Sequence, residues 1–262
     1  MARDTGAWLY AVTRHIDVTR LQGITGVADE EVRTLDIADL TAVVGSVDLA
    51  DFGEEPLRRN FEDATWLEST ARAHDGVIAA VASVGPTLPV RLATVYRNDE
   101  HIRGLLAGRR DEFEATLRHV TGRSEWGVKV HADPRGRSAT EAFNAATDEQ
   151  SSRPGTAYLQ RRRRQLSEED EAEEALAAGA SAIHEVLDSV AVAARRYPPQ
   201  HPALTGDRRR MVLNASYLVD DESIDELTAR VNSLSEKQSG FALELTGPWP
   251  PYSFAGVDDE VQ

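Results

Sequence analysis

Apolar residues change their period repeatedly along this chain. No stretch keeps one period long enough for an all-helical or an all-strand protein. "AWLYAVT", residues 7–13, is a short apolar run with aromatics and reads as a buried strand. "VRTLDI" (32–37) and "LTAVVGSV" (40–47) are strand-like runs separated by Ala38 and Asp39, the spacing of a hairpin. Leu57, Phe61, Ala64, Leu67, Ala71, His74, Ile78 and Val81 then recur at steps of three and four, which predicts one helix ended by Gly85–Pro86. "LPVRLATVY" (88–96) predicts a nearly continuous strand. Asn98 is placed to cap a helix carrying Ile102, Leu106, Phe113, Leu117 and Val120, with a break near Gly108.

The second half repeats the alternation. "SEWGVKVHA" (124–132) predicts a strand with Trp126, Val128 and Val130 on one face and Glu125, Lys129 and His131 on the other. Residues 133–152 are small and polar and read as a connection. A long helix fits Gly155 to Arg196, with Leu176, Ala180, Ile183, Leu187, Val190 and Ala194 as its stripe, and "YPPQHP" stops it. "RMVLNASYLV" (210–219) is the strongest strand signal, with Leu213, Ala215, Tyr217 and Val219 on one side. Ser223 and Glu226 form a capping-box pattern before a helix marked by Ile224, Leu227, Val231 and Leu234. "GFALELTG" (240–247) is a last strand. The order is β-β-β-α-β-α, then β-α-β-α-β. It predicts an α+β protein of two domains, 1–121 and 122–262, the second close to the split βαβ pattern of a ferredoxin-like fold.

The formal net charge of −15 disfavours nucleic acid and anionic lipid as main partners. Its one basic cluster, Arg161 to Arg164, is followed by "SEEDEAEE" (167–174), and on a helix Arg164 faces Glu168 one turn on. The cluster therefore reads as a solvated face and not a phosphate site. No apolar run approaches the roughly 18 residues of a membrane span, and the N-terminus does not read as a signal peptide. With no cysteine, disulfides, thiolate metal sites and cysteine nucleophiles are excluded, and the cytoplasm is the default compartment.

Nothing in the sequence assembles a catalytic, cofactor or metal site. The histidines are scattered, without the H-E-x-x-H spacing or a paired i, i+4 arrangement. "GITG" (23–26) and "SVGP" (83–86) lack the spacing of a phosphate loop, and no G-x-S-x-G elbow occurs. His74, on an apolar stripe, reads as a core histidine held by a hydrogen bond. The chain ends on "LTGPWPPYSFAGV" (245–257), where Pro248, Pro250 and Pro251 surround Trp249 and precede Tyr252 and Phe254. Proline has no N–H to donate, so this stretch reads as neither helix nor central strand.

Several stretches, taken in order, resemble one family. "WLYAV" resembles the aromatic opening strand of the gas vesicle protein F/L family, and "LPVRLATVY" its "LPLRFGTVF"-type strand, with Val90, Leu92, Ala93 and Tyr96 as conservative departures. "GRSEWGVKV" (122–130) is similar to its G-x-x-E-W-G-V-K signature, and "GTAYLQRRRRQ" (155–165) to its G-x-x-Y-L helix start. "LNASYLV" (213–219) and "GPWPPYSF" (247–254) complete the set. The resemblance implies two domains, each a variant ferredoxin-like sheet covered by helices. It implies a non-enzymatic accessory protein of gas vesicle assembly, without cofactor or metal, that binds the hydrophobic shell protein and other vesicle proteins in the cytoplasm or on the vesicle. It does not separate F-type from L-type. The rival readings are a ligand-binding or regulatory ferredoxin-like module, and an enzyme with an unrecognised site. Trp249, Tyr252 and Phe254 are the candidate site residues, either as a clasp folded back on the protein or as a partner contact. The clasp is the preferred reading, with Trp249 as a buried lid.

Overall fold

The structure is a computed structural model that describes residues 4–14, 16, 18–132, 154–200, 209–238 and 240–256; within 154–169 only Arg163, Leu166 and Ser167 have described side chains. The connection 133–152, and the side chains of Arg161, Arg162, Arg164 and Glu168, lie outside the described residues. The chain divides into two compact units, Met1–Glu125 with Pro248–Gln262, and Trp126–Gly247. The last stretch, expected with the second half, thus groups with the first.

In the first unit β1 (Thr5–Arg14), β2 (Arg33–Ile37), β3 (Leu40–Asp48) and β4 (Thr87–Pro89) form a sheet of order β2-β3-β1-β4, and β5 (Val95–Tyr96) also pairs with β1. These pairings are antiparallel. The β2–β3 hairpin closes as expected through Ala38, whose φ of 53° is the left-handed conformation that a two-residue hairpin turn needs. β1 is buried along nearly its whole length because helices cover both faces of the sheet. On one face, Ala7, Leu9 and Val12 pack with Ile102 and Leu106 of α4 (Asp99–Gly108) and Phe113 and Leu117 of α5 (Arg110–Val120). On the other, Trp8, Tyr10 and Ala11 pack with Phe52, Leu57, Val77, Ile78 and Val81, from α1 (Leu49–Phe52), α2 (Glu54–Asn60) and α3 (Ala64–Ala82). Tyr10 and Ala11 are consecutive yet share a face. The β1–β3 register slips between Leu9 and Ala11, a β-bulge that turns one extra side chain to the α3 side.

Two expectations for this unit are corrected. The single helix over 57–81 is broken at Phe61–Asp63. The Asp63 carboxylate caps α3 by accepting from the Thr65 and Trp66 amides at 2.9 and 3.2 Å, so an aspartate inside an apolar period was a start signal. Phe61 is left 42 % exposed. The strand over 88–96 is likewise split into β4 and β5. Val90 N–H donates to the Tyr10 carbonyl and Thr94 O accepts from Leu9 N–H, both at 2.9 Å, so the break lies against the bulge, and Ala93 turns the chain at a φ of 66°. Asn98 caps α4 as expected, its Oδ1 accepting from the His101 amide at 3.2 Å.

The second sheet has the order β7-β8-β6-β9, from β6 (Arg123–Ala132), β7 (Ala193–Arg196), β8 (Met211–Asp220) and β9 (Phe241–Trp249). α6 (Pro154–Asp188) and α7 (Ile224–Lys237) supply its cover. Val128 and Val130, Leu213, Ala215, Tyr217 and Val219 meet Ala180, Ile183 and Leu187 of α6 and Leu227, Val231 and Leu234 of α7. Three corrections apply. α6 ends at Asp188 and not at Arg196, and residues 193–196 become β7, whose antiparallel pairing satisfies backbone groups along β8. Ser223 makes no side-chain cap, because Asp221–Ser223 is already a 3₁₀ turn and Ser223 lacks the extended backbone of a capping residue. Glu125 and His131, expected outward, are only 6 % and 4 % exposed. β9 runs on through Pro248 to Trp249, which agrees with the exclusion of a central strand there. β9 is an edge strand of its sheet, and an edge tolerates a missing N–H.

Candidate functional site

The three expected site residues separate. Trp249 is 54 % exposed, so it is not a buried lid. Tyr252 and Phe254 lie in a 3₁₀ turn (Tyr252–Phe254) that packs back on the first unit. Tyr252 rests against the cluster of Trp8 and Tyr10, and its hydroxyl donates to Asp75 Oδ1 of α3 at 2.7 Å. Burial raises the Tyr252 phenol above its usual range, and the Asp75 bond and charge add to the rise. Phe254 packs on the opposite cluster, where Ala255 is only 1 % exposed. Between them Ser253 explains the buried Glu125: its amide donates to Glu125 Oε2 at 2.7 Å and its hydroxyl to Oε1. One short segment therefore meets residues of both cores of the unit and satisfies an acid that would otherwise be buried alone.

A polar group inside the α3-side core was missed as a group. Trp8 Nε1–H donates to His74 Nδ1 at 3.0 Å, and His74 Nε2 lies 2.9 Å from the Val90 carbonyl. Only the neutral ring with its proton on Nε2 makes both bonds. Burial accordingly lowers the His74 pKa, against the Val90 bond and the Asp75 charge. Both ring nitrogens are occupied, which leaves no lone pair for a substrate. Beside it the Tyr10 hydroxyl accepts from the Val27 amide at 2.7 Å and donates to Glu30 Oε1 at 2.5 Å. The Glu30 carboxyl lies over Gly45, where any Cβ would collide with it, and Glu30 Oε2 is buried without a partner in good hydrogen-bond geometry. Its loop bends through Ala28 and Asp29, both at positive φ. Burial raises Glu30 to about 7, and Tyr10, the Arg33 charge and the Ser46 backbone oppose the rise without cancelling it. Gly45 and Gly26 were the available signals: each marks a close approach to Glu30, which no periodicity reports.

The sign of the Glu30 effect follows from linkage. Between its ordinary value of 4.5 and about 7 the folded state holds a proton that the unfolded state has lost, so this contribution to stability declines as pH rises through that window. Glu30→Gln removes the titration. The melting temperature of the variant relative to the wild type should climb from about pH 5 to about pH 8; a flat difference would refute the assignment.

An open cleft of about 600 Å³ lies between Ile24–Gly26, Asp29 and one side of α3, lined there by Thr65, Glu68, Ser69 and Arg72. Glu68 and Arg72, one turn apart on α3, pair along its wall at 2.6 Å. Its walls hold no histidine, and no group of three or more metal-ligating side chains occurs among the described residues. No helix among the described residues is long and apolar enough to cross a membrane.

Residues 6–256 match the family described as Gas vesicle synthesis protein GvpL/GvpF. The chain is 41 % identical over 260 residues to gas vesicle protein L of Streptomyces sp. (strain CB03234), covering 99 % of this chain and 96 % of the relative. It is 25 % identical over 261 residues to gas vesicle protein F of the same strain, covering 94 % and 98 %. The crystal structure of gas vesicle protein GvpF from Anabaena sp. PCC7120 shares the fold with a TM-score of 0.66 at 18 % identity, covering 98 % of this chain and 99 % of that one. A match over nearly the whole length, with a relative this similar and a solved structure of the same fold, establishes that the chain belongs to the gas vesicle GvpL/GvpF family.

Proposed function

We propose that this chain is an L-type, non-enzymatic accessory protein of gas vesicle assembly that holds the apolar shell protein before it enters the wall. The observation that carries the type is the contrast within one Streptomyces strain, 41 % identity to protein L against 25 % to protein F. The order β6-α6-β7-β8-α7-β9 in a sheet of order β7-β8-β6-β9 supports a ferredoxin-like second domain, and the first domain is a variant with helices on both faces. A wall that excludes water needs subunits with a strongly apolar face, and such subunits associate wherever that face can be buried, at roughly 25 cal/mol per Å². A partner with net charge −15 keeps the captured subunit dispersed in the cytoplasm or at the vesicle surface.

Trp249 is the contact we assign to this role, because an exposed tryptophan held between two prolines presents its ring with little entropy left to lose. Trp249→Ala should leave the melting temperature of the isolated protein nearly unchanged, since exposed substitutions fall within about 0.5 kcal/mol. It should weaken co-purification of the shell protein, and a strain lacking the gene should form no vesicles. Normal buoyant vesicles in the deletion strain would overturn the function, and undiminished capture by the alanine variant would overturn the contact.

A further inference from the structure

One segment of the first unit hangs on a single carboxyl. "ITGVADEE", residues 24–31, leads into β2. It closes on itself: the Gly26 amide donates to the Glu30 carbonyl at 2.9 Å, and Thr25 and Glu31 form an isolated antiparallel bridge. These bonds let the segment move as one piece. Its tip is the 3₁₀ turn Val27–Asp29, where Ala28 and Asp29 hold φ of 63° and 57°. Both residues carry a Cβ, so this left-handed backbone is strained in place and relaxes on release. Val27 enters the core on the α3 side. The polar attachments to the sheet converge on one pair. Tyr10 Oη of β1 accepts from the Val27 amide at 2.7 Å and donates to Glu30 Oε1 at 2.5 Å. A Cβ at Gly26 would collide with both members of that pair, and one at Gly45 with the carboxyl. The two glycines therefore open the space in which the carboxyl sits.

This space serves a neutral carboxyl better than an anion. A carboxylate offers about four acceptor sites. The Tyr10 hydroxyl and the Ser46 backbone bond to it, while Oε2 is enclosed without a partner in good geometry. β1 brings Tyr10, a phenol that burial keeps protonated. β2 brings Arg33, but Asp99 holds that guanidinium through two bonds of 2.7 and 2.8 Å. β3 brings backbone at Gly45 and Ser46. α3 brings the neutral His74 behind Tyr10 and, at the cleft, Glu68 paired with Arg72. Asp29 and Glu31, on the segment itself, are like charges. We propose that segment 24–31 is a gate, held shut by the protonated Glu30 carboxyl and released when that carboxyl ionises. Release lifts Gly26 and Val27 off Tyr10, so the open cleft of about 600 Å³ along α3, now walled by Gly26 and Asp29, deepens towards the phenol. Burial raises Glu30 to about 7 in the closed state, and the open segment returns it to its ordinary 4.5. Closure is therefore favoured at acid pH and weakens as pH rises through that window. Between about pH 5.5 and about pH 8.5 the open population grows about thirtyfold.

The test is amide hydrogen exchange on the full-length protein, read by NMR from about pH 5.5 to about pH 8.5 and corrected for the intrinsic rate at each pH. Opening at the Gly26 and Val27 amides should grow at least about tenfold over that range and level off above about pH 7. The amides of Ala42–Val44 in β3 should stay protected throughout. Glu30→Gln keeps the shape but cannot ionise, so the rise should vanish. Glu31→Gln removes an exposed charge one residue away and should keep the rise. The wild-type curve needs no altered Glu30, so it decides the matter even where the glutamine variant loses its β3 protection. Opening that is equal at both ends of the range, or that climbs on without levelling, would overturn the proposal. So would a rise that a folded Glu30→Gln retains, and so would β3 amides that open in step with the segment, because the whole unit would then be unfolding.

Discussion

A chain shortened to end at Trp249 should melt more than about 10 °C below the full-length protein, with the loss confined to the first unit. The removed residues carry Ala255 out of the core on the α4–α5 side and Phe254 from its edge. They also remove the Tyr252 bond to Asp75 and both donors to Glu125. Hydrogen bonds to charged groups contribute about 1.5–3 kcal/mol each, and leaving a buried charge unpaired costs about 3–5 kcal/mol. Glu125 is 6 % exposed with the segment in place, and water that reaches it once the segment is gone offsets part of that cost. Even a total of about 5 kcal/mol is a large share of the roughly 5–15 kcal/mol that holds a domain together. At about 2–4 °C per kcal/mol for a chain of this size, the shift exceeds about 10 °C. Trp8, Trp66 and Trp249 lie in the first unit and Trp126 in the second, so the same measurement, read by tryptophan fluorescence on a Trp126→Phe background, follows the first unit alone. A melting temperature within a degree or two of the full-length value would show that the segment rests on the unit without stabilising it. Ser253→Ala, which removes one donor and leaves the chain in place, should give a smaller shift in the same direction.

Most elements of the fold were legible because burial writes a period into the sequence. The hairpin at Ala38–Asp39, the Asn98 cap, the break near Gly108 and the inward series Leu213, Ala215, Tyr217, Val219 all stand where expected. The failures share a cause. Period counts which residues are apolar, but it does not count where backbone groups find partners. Ala194 continues the helical spacing of Leu187 and Val190, yet residues 193–196 pair with β8. "LPVRLATVY" is mostly apolar yet splits, because the bulge at Tyr10 in its neighbour shifts the ladder against which it pairs. Asp63 caps a helix from inside what reads as one apolar stripe.

The candidate site was legible as residues and not as roles. The stretch from Pro248 to Phe254 was marked by proline and aromatic content alone, and content cannot say which ring faces inward. The structure turns Tyr252 and Phe254 onto the first unit and Trp249 to solvent. Glu125 was read outward by alternation, because its partner Ser253 lies 128 residues away along the chain. The Tyr10–Glu30 contact was invisible for a similar reason: the carboxyl reaches over Gly45, and a glycine in a strand announces a close approach without naming what approaches.

Trp8→Ala should be among the most damaging single substitutions in the first unit. Trp8 is fully buried on the α3 face of β1 and lies edge-on to Phe52 at a centroid distance of 5.9 Å. Truncating a buried tryptophan costs about 3–5 kcal/mol through lost contacts and the cavity left behind. His74 adds to this. Its Nδ1 loses the Trp8 donor, and a buried acceptor left unsatisfied costs about 1–3 kcal/mol more. The pH dependence separates the two parts. His74 is held neutral by burial, with its pKa below the usual 6.5, so its contribution is intact above that value and is lost as pH falls towards the lowered one. Water entering a cavity beside Nδ1 would solvate the ring and return its pKa towards 6.5. Trp8→Ala should therefore lower stability strongly at neutral pH and also flatten the part of the acid-side decline that His74 supplies. Trp8→Phe fills much of the volume but cannot donate, so it should show a smaller loss that comes mainly from the missing hydrogen bond. Urea unfolding of both variants at about pH 5.5 and about pH 7.5 measures these quantities. Equal stability of the phenylalanine variant and the wild type at both values would mean that the Trp8–His74 bond contributes nothing, and that shape alone fixes tryptophan at this position.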